Sequence, residues 1–229
     1  MNDDLQDSSK DERLSRIVTA SLEVFAEFSF EDATTGEIAR RARVSKRDIY
    51  VYFPNKHALL IGTMNEVLQT ENVKIIQTIE RSSGLPSLRH RLVAIGLRLI
   101  DEVLSVAMSV MTRLAASESI RQPLIGTVFF ENGISRRNKL VSEVLSTYIA
   151  TPDTMAVAIF QAAEHFIALV THRPRLTALV GLRDIWDPGA IQTHAEAAVD
   201  CFLRAHPIFA SKVIHAEGEL ARQGRGIGS

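Results

Sequence analysis

Along most of this chain apolar residues recur every three or four positions, the spacing of one helix face, and nowhere in the strict alternation of a half-buried strand. From 58 to 81 the stripe is Leu59, Leu60, Met64, Val67 and Leu68, and Ser82-Ser83-Gly84 with Pro86 breaks it. Residues 88–105 carry Leu92, Ile95, Leu99 and Val103, and a shorter segment follows over 106–116. A long helix is predicted from Gln122 or Pro123 to about 150, with Phe129, Phe130, Ile134, Leu140, Val141, Val144 and Leu145 apolar. Pro152, Asp153 and Thr154 start a very apolar helix over 155–171, which Arg173-Pro174 is expected to stop. Asp187-Pro188-Gly189 opens the last long helix, over 190–205. The predicted fold class is all-α, with no internal repeat.

The segment 34–56 has a different texture. Thr34 stands three residues before Glu37, the capping-box spacing, and good helix formers follow to Ala42. Ser45 supplies a second N-cap, with Asp48 three residues on, where a carboxylate complements the helix dipole. Pro54 ends that helix, because it lacks an amide and disfavours helix at Phe53. The pattern is helix, short turn, helix. Ile38, Ala39, Ile49 and Phe53 form its expected core, with Val24 and Phe25 packing onto them. Arg40, Arg41, Arg43, Lys46, Arg47 and Lys56 face only Glu37 and Asp48, and Tyr50, Tyr52 and Phe53 lie among them. One α-helix fits the major groove, and helix N-termini favour phosphate. A capped hairpin with a solvated basic face would show the same caps; the concentrated cations and tyrosines favour a DNA-reading hairpin.

Composition narrows the function classes. The chain has 229 residues, a formal net charge of −1 and a single cysteine. DNA affinity must therefore come from a local patch, not from bulk charge. One cysteine, Cys201, forms no intramolecular disulfide and is expected as a packing residue, which fits a reducing cytoplasmic setting. No stretch is read as the ~20 apolar residues that span a bilayer, and no apolar signal region follows Met1. Residues 1–10 are acidic and polar and are expected as a disordered leader; 211–229 are expected as a tail. Phosphate-loop, HExxH, CxxC and nucleophile-elbow patterns are missing, so no enzyme, metal or cofactor is expected.

Residues from about 13 to 64 resemble the N-terminal DNA-binding domain of the TetR family of bacterial transcription regulators. RIVTASLEVFAE stands as the first helix, FEDATTGEIARRARVS as link and second helix, and KRDIYVYFPNKHALL as recognition helix and start of the fourth. The chain departs from the family pattern at Phe28-Ser29-Phe30, where a Gly-flanked turn is common. It departs again at Arg47, in place of a small residue, and at Val51, in place of an aromatic or His. The stretch 113–150 is similar to the AefR-type regulatory domain of the same family.

The resemblance implies a three-helix helix-turn-helix DNA-binding domain over 11–57, followed by a helical ligand-binding and dimerisation domain over 58–210. It implies that Thr35 binds a phosphate, and that Ser45, Lys46 and Arg47 open the recognition helix. Arg47 is the candidate for a base edge, Arg to guanine being the commonest specific contact; Lys46 reads a base or holds a phosphate. Tyr50, Tyr52 and Lys56 grip the DNA backbone. The implied partners are double-stranded operator DNA, a second copy joined through the last two long helices, and a small effector of unknown identity. No membrane is expected. Phe160, Ala163, Phe166, Ile167 and Val170 fit either a dimer interface or an intramolecular core. Met108, Met111, Phe129, Phe130, Phe160 and His165 are candidates to line an effector pocket, but stripes of this kind are commonly core, and no effector residue is assigned. His90, His165 and His172 are read as structural. The expected function is a dimeric repressor released by an effector; the alternative is a helical sensor or protein-binding adaptor that no longer reads DNA.

Overall fold

A computed structural model describes residues 2–150 and 152–209, with side chains from residue 12 onward. The expected tail at 211–229 lies outside the described residues. Among the described residues there is no strand. The helices are α1 (Asn2–Glu27), α2 (Thr35–Ala42), α3 (Lys46–Tyr52), α4 (Lys56–Arg81), α5 (Leu88–Leu104), α6 (Val106–Glu118), α7 (Pro123–Phe129), α8 (Arg136–Ser146), α9 (Ala156–Leu179) and α10 (Pro188–Ala205). The acidic segment read as a disordered leader falls within α1.

The described helices group into two compact units: residues up to 70 with 106–133, and residues 71–105 with those from 134 to 209. In the first, Ile17, Val24 and Phe25 of α1, Ile38 of α2, Ile49 of α3 and Leu59, Leu60 and Met64 of α4 share one core. Met108, Met111 and Leu114 of α6 and Ile125 of α7 join it. Chain order alone suggests a break near residue 57, whereas packing gathers α6 and α7 around the hairpin because their buried stripes belong to its core.

In the second unit Leu92, Ile95 and Leu99 of α5 meet Leu140, Val141 and Val144 of α8, Phe166 and Val170 of α9, and Val199 and Phe202 of α10. Ala163, Phe166, Ile167 and Val170 are buried here, so they are core residues of the protomer, and Phe160 is half-buried. Arg89 fastens α5 to α10 through two hydrogen bonds to Asp200, at 2.7 and 3.1 Å.

Four sequence expectations are corrected. The helix predicted to end before Pro174 continues to Leu179. Proline removes the amide that would bond the carbonyl four residues back, at Val170. His194 Nε2 of α10 lies 2.9 Å from that oxygen and takes the missing donor's place. The same segment, 153–179, is long and apolar enough to cross a membrane by composition, contrary to expectation. Its apolar character has a packing cause, since Ile159, Ala162, Ala163, Phe166, Val170 and Pro174 face the core. Cys201, expected to be packed, is exposed. On α10 the inward positions are Ala195, Ala198, Val199 and Phe202, which leaves 201 on the outer face. The helix predicted from Gln122 or Pro123 onward is helical to Ser146, but a π-helical segment, Phe130–Ser135, separates α7 from α8.

Candidate nucleic-acid interface

Each end of the hairpin is specified locally. Thr34 Oγ1 accepts the Glu37 amide at 3.1 Å, capping α2. Arg43 closes α2 in the left-handed region, φ 54°, and lets the Val44 amide bond Ala39 O at 3.0 Å, a Schellman-type reversal. Ser45 and Asp48 complete a reciprocal capping box on α3: the Asp48 amide donates to Ser45 Oγ at 3.0 Å, and the Ser45 amide to Asp48 Oδ2 at 2.9 Å. The Ser45 hydroxyl and amide hold the Asp48 carboxyl below its ordinary range, with Arg13 of α1 adding to this. At the far end the Phe53 amide bonds Ile49 O at 2.8 Å, and Asn55 Oδ1 then caps α4 by accepting the Ala58 amide at 2.8 Å.

Only Ile49 of α3 is fully buried. Lys46, Arg47, Tyr50 and Val51 make up the exposed face of this two-turn helix, with Tyr50 49% and Val51 72% accessible. Thr35 Oγ1 and Tyr50 Oη are 3.3 Å apart, so the start of α2 and the middle of α3 meet through two hydroxyls. Lys46 lies across Gly36: a Cβ there would stand 2.8 Å from Lys46 Cε and 3.1 Å from its Nζ. Thr35, Lys46 and Tyr50 are thus gathered over the first turn of α2. Arg47 is exposed, and Tyr52 is half-buried with its ring 6.3 Å from that of Phe53.

The cations divide into two groups. Glu37 accepts from Arg40 at 2.8 and 2.6 Å and from Arg41 at 2.8 Å, and Arg41 also pairs with Glu27. These contacts hold the Glu37 carboxyl at about 2, against an ordinary 4.5. Because its pKa is depressed, the carboxylate's contribution is present above the ordinary value and is lost as pH falls through about 2. An NMR titration should therefore place the Glu37 midpoint near 2; an ordinary glutamate midpoint means the guanidinium contacts do not persist in solution. Arg43, Lys46 and Arg47 are exposed, and no ion pair engages them among the described residues.

Lys56 departs from its expected role. Its ammonium donates to the carbonyls of Phe30, Glu31 and Ala33 at 2.7, 3.0 and 3.2 Å and sits 4.6 Å from the Phe30 ring centroid. An ammonium has three donors, and all three are committed to the α1–α2 turn. The geometry gives Lys56 a bracing role in place of the phosphate contact. That brace holds Phe28-Ser29-Phe30, the turn lacking glycine, with Phe30 buried against Phe25. Lys56→Ala is expected to destabilise the protein by about 1–3 kcal/mol without changing the salt dependence of DNA binding, as thermal unfolding and salt titrations would show.

Sequence reasoning missed two contributors. Val51, noted only as a departure from a pattern, is more exposed than Tyr50 on the α3 face. Gly36 admits Lys46 by having no side chain. The candidate effector residues fall in different units: Met108, Met111 and Phe129 pack in the unit that carries the hairpin, where Phe130 is 56% exposed, and Phe160 and His165 lie on α9 of the second. A cleft of about 440 Å³ in the second unit is lined instead by Arg173, Ile185, Trp186, Ala190, Thr193, His194 and Ala197.

A short capped hairpin with a cationic exposed face, set on a helical core, defines a helix-turn-helix protein. Residues 17–62 match the family described as bacterial regulatory proteins, tetR family, and residues 90–207 match the AefR-like transcriptional repressor C-terminal domain. The chain belongs to the TetR family of bacterial regulators, in its AefR-like branch. It is 38% identical over 52 residues to the HTH-type transcriptional regulator RutR of Escherichia coli (strain K12), covering 23% of this chain and 24% of that one. To the regulator BetI of Escherichia coli O139:H28 it is 36% identical over 117 residues, covering 49% of this chain and 58% of BetI. In both cases the match spans less than two thirds of the relative's own length. A crystal structure of a TetR-family regulator from Mesorhizobium loti MAFF303099 superposes with a TM-score of 0.77 at 21% identity, covering 86% of this chain and 97% of that one, which establishes the shared fold.

Proposed function

We propose that this chain is a DNA-binding transcriptional regulator, acting in the cytoplasm as a dimeric repressor of a near-palindromic operator that a small effector releases. It works by binding, not as an enzyme. The observation that carries this reading is the exposed face of α3, where Lys46 and Arg47 stand free beside a hydroxyl pair formed by Thr35 and Tyr50. Arg47 reads a base edge, and Val51 offers an apolar contact of the kind that meets a thymine methyl. Lys46, gathered with Thr35 and Tyr50 over the start of α2, holds a phosphate there, and the geometry favours this over base reading. Ser45 sets the start of α3 in the groove, and Tyr52 adds a backbone contact beside it.

Dimerisation is proposed through α9 and α10. Both keep an outward stripe after the core is built, with Ala168, Leu169 and Leu176 on α9 and Ala197, Cys201 and Ala205 on α10. A two-fold dimer would present its recognition helices about 34–36 Å apart, one turn of DNA. Effector binding shifts DNA affinity only if the effector prefers the conformation that does not bind DNA.

A gel shift with the DNA upstream of its own gene tests the reading. A salt-sensitive shift is expected, and no shift at any protein concentration would favour the adaptor alternative. Tyr50→Phe is expected to weaken every operator variant to a similar degree, because a phosphate contact carries no sequence information. A changed base preference in a binding-site selection would move Tyr50 to the base-reading set.

A further inference from the structure

Where α9 ends and α10 begins, the second unit leaves a cleft of about 440 Å³, a size that suits a small organic ligand. Trp186, the sole tryptophan of the chain, forms part of its wall and is held by three neighbours. Its Nε1 donates to Thr177 Oγ1 at 2.7 Å, and the Arg173 guanidinium lies over its ring, 5.3 Å from the centroid. The His194 ring meets it edge-on at 5.2 Å, and His194 is itself tied through Nε2 to Val170 O. Ile185, Ala190 and Ala197 add an apolar wall, the two alanines being too small to fill the space beside the rings.

Arg173 brings a fixed positive charge to this wall, and no carboxylate lines the cleft. The cations of the second unit that form ion pairs among the described residues are Lys74, Arg89, Arg98 and Arg137, and Arg173 is not one of them. Asp187, beside Trp186 in the chain, caps α10 instead, its Oδ1 accepting the Ala190 amide at 2.8 Å. A guanidinium backed by an indole keeps its in-plane N–H donors open, and these match a carboxylate with two parallel hydrogen bonds. The rings beside it favour a flat, aromatic body over a flexible chain. A structural cation–π pair would account for Arg173 over Trp186, but not for the ligand-sized apolar recess next to it. We propose that this cleft binds a small aromatic monocarboxylate, with its carboxylate on Arg173 and its ring beside Trp186 and His194. This names a chemical class for the effector reading above and rests on that reading only for its regulatory meaning. Ala197 also belongs to the outward stripe of α10, so the bound acid would lie at the edge of the proposed dimer seam.

The test uses the full chain with benzoate, phenylacetate and 3-phenylpropionate, each paired with its primary amide, followed by calorimetric titration and by the emission of Trp186. At least one acid should bind at least about tenfold more tightly than its amide and change the tryptophan emission as it saturates. Arg173 is exposed, so Arg173→Met should leave Tm unchanged while lowering that acid's affinity at least about tenfold. Arg173→Lys, which keeps the charge but loses the fork, should also bind more weakly. The proposal is overturned if no acid binds more tightly than its amide, or if both variants bind acid as the unmodified chain does. Sedimentation addresses the other occupant: if Arg173→Met loses self-association and the unmodified chain binds no acid, the cleft seats a second copy and the proposal falls. Operator release is measured separately. An acid that binds without releasing DNA keeps this site and sinks its role as effector, whereas release by some other compound with no acid binding does the reverse.

Discussion

Gly62→Ala is expected to lower stability by about 2 kcal/mol net and to weaken DNA binding with it. A Cβ on Gly62 would lie 2.2 Å from Phe53 Cε1 and 2.9 Å from Cζ, well inside contact distance, so the ring must leave its seat on α4. Overpacking of this severity costs about 3 kcal/mol, and the better helix propensity of alanine returns about 1 kcal/mol. The damage reaches the reading face because the Phe53 amide is what closes α3, through Ile49 O. Thermal unfolding and gel shifts measure both effects. Phe53→Leu in the Gly62→Ala background should restore much of the lost stability, because the smaller side chain vacates the space. If the single variant keeps full stability, Phe53 is not held against Gly62 in solution.

Arg47→Ala is expected to cost about 1–3 kcal/mol of operator affinity and to relax the preference at one base pair. No carboxylate is hydrogen-bonded to its side chain among the described residues, and it projects from the first turn of α3, the part of a recognition helix that contacts base edges. Binding-site selection with the variant checks this. Unaltered specificity with a shallower salt dependence would place Arg47 on the phosphate backbone instead.

What could be read from the sequence was what is settled by neighbours in the chain. Thr34 with Glu37, and Ser45 with Asp48, cap their helices through residues three positions apart, so the spacing alone announces both helix starts. Ile38, Ala39 and Ile49 follow the helical period and are buried as that period implies. Lys56 was misread because its partners are backbone carbonyls of residues 30, 31 and 33, which leave no trace in side-chain chemistry. Cys201 was misread because α10 is apolar around much of its circumference, and only packing decides which side faces inward. The arginines next to Glu37 looked available in sequence, although Arg40 and Arg41 are both held by that carboxylate.

Pro174 has a consequence for how the last two helices find one another. Ordinarily a helix satisfies its own carbonyls and is indifferent to the exact height of its neighbour. Here the oxygen of Val170 has lost its internal donor, and His194 of α10 reaches it at 2.9 Å. The vacancy in one ladder becomes a keyed joint that fixes the vertical register of α10 along α9. Restoring an amide with Pro174→Ala would mend the ladder and remove this polar tie, leaving the register of the two helices to Phe166, Val170, Val199 and Phe202 alone.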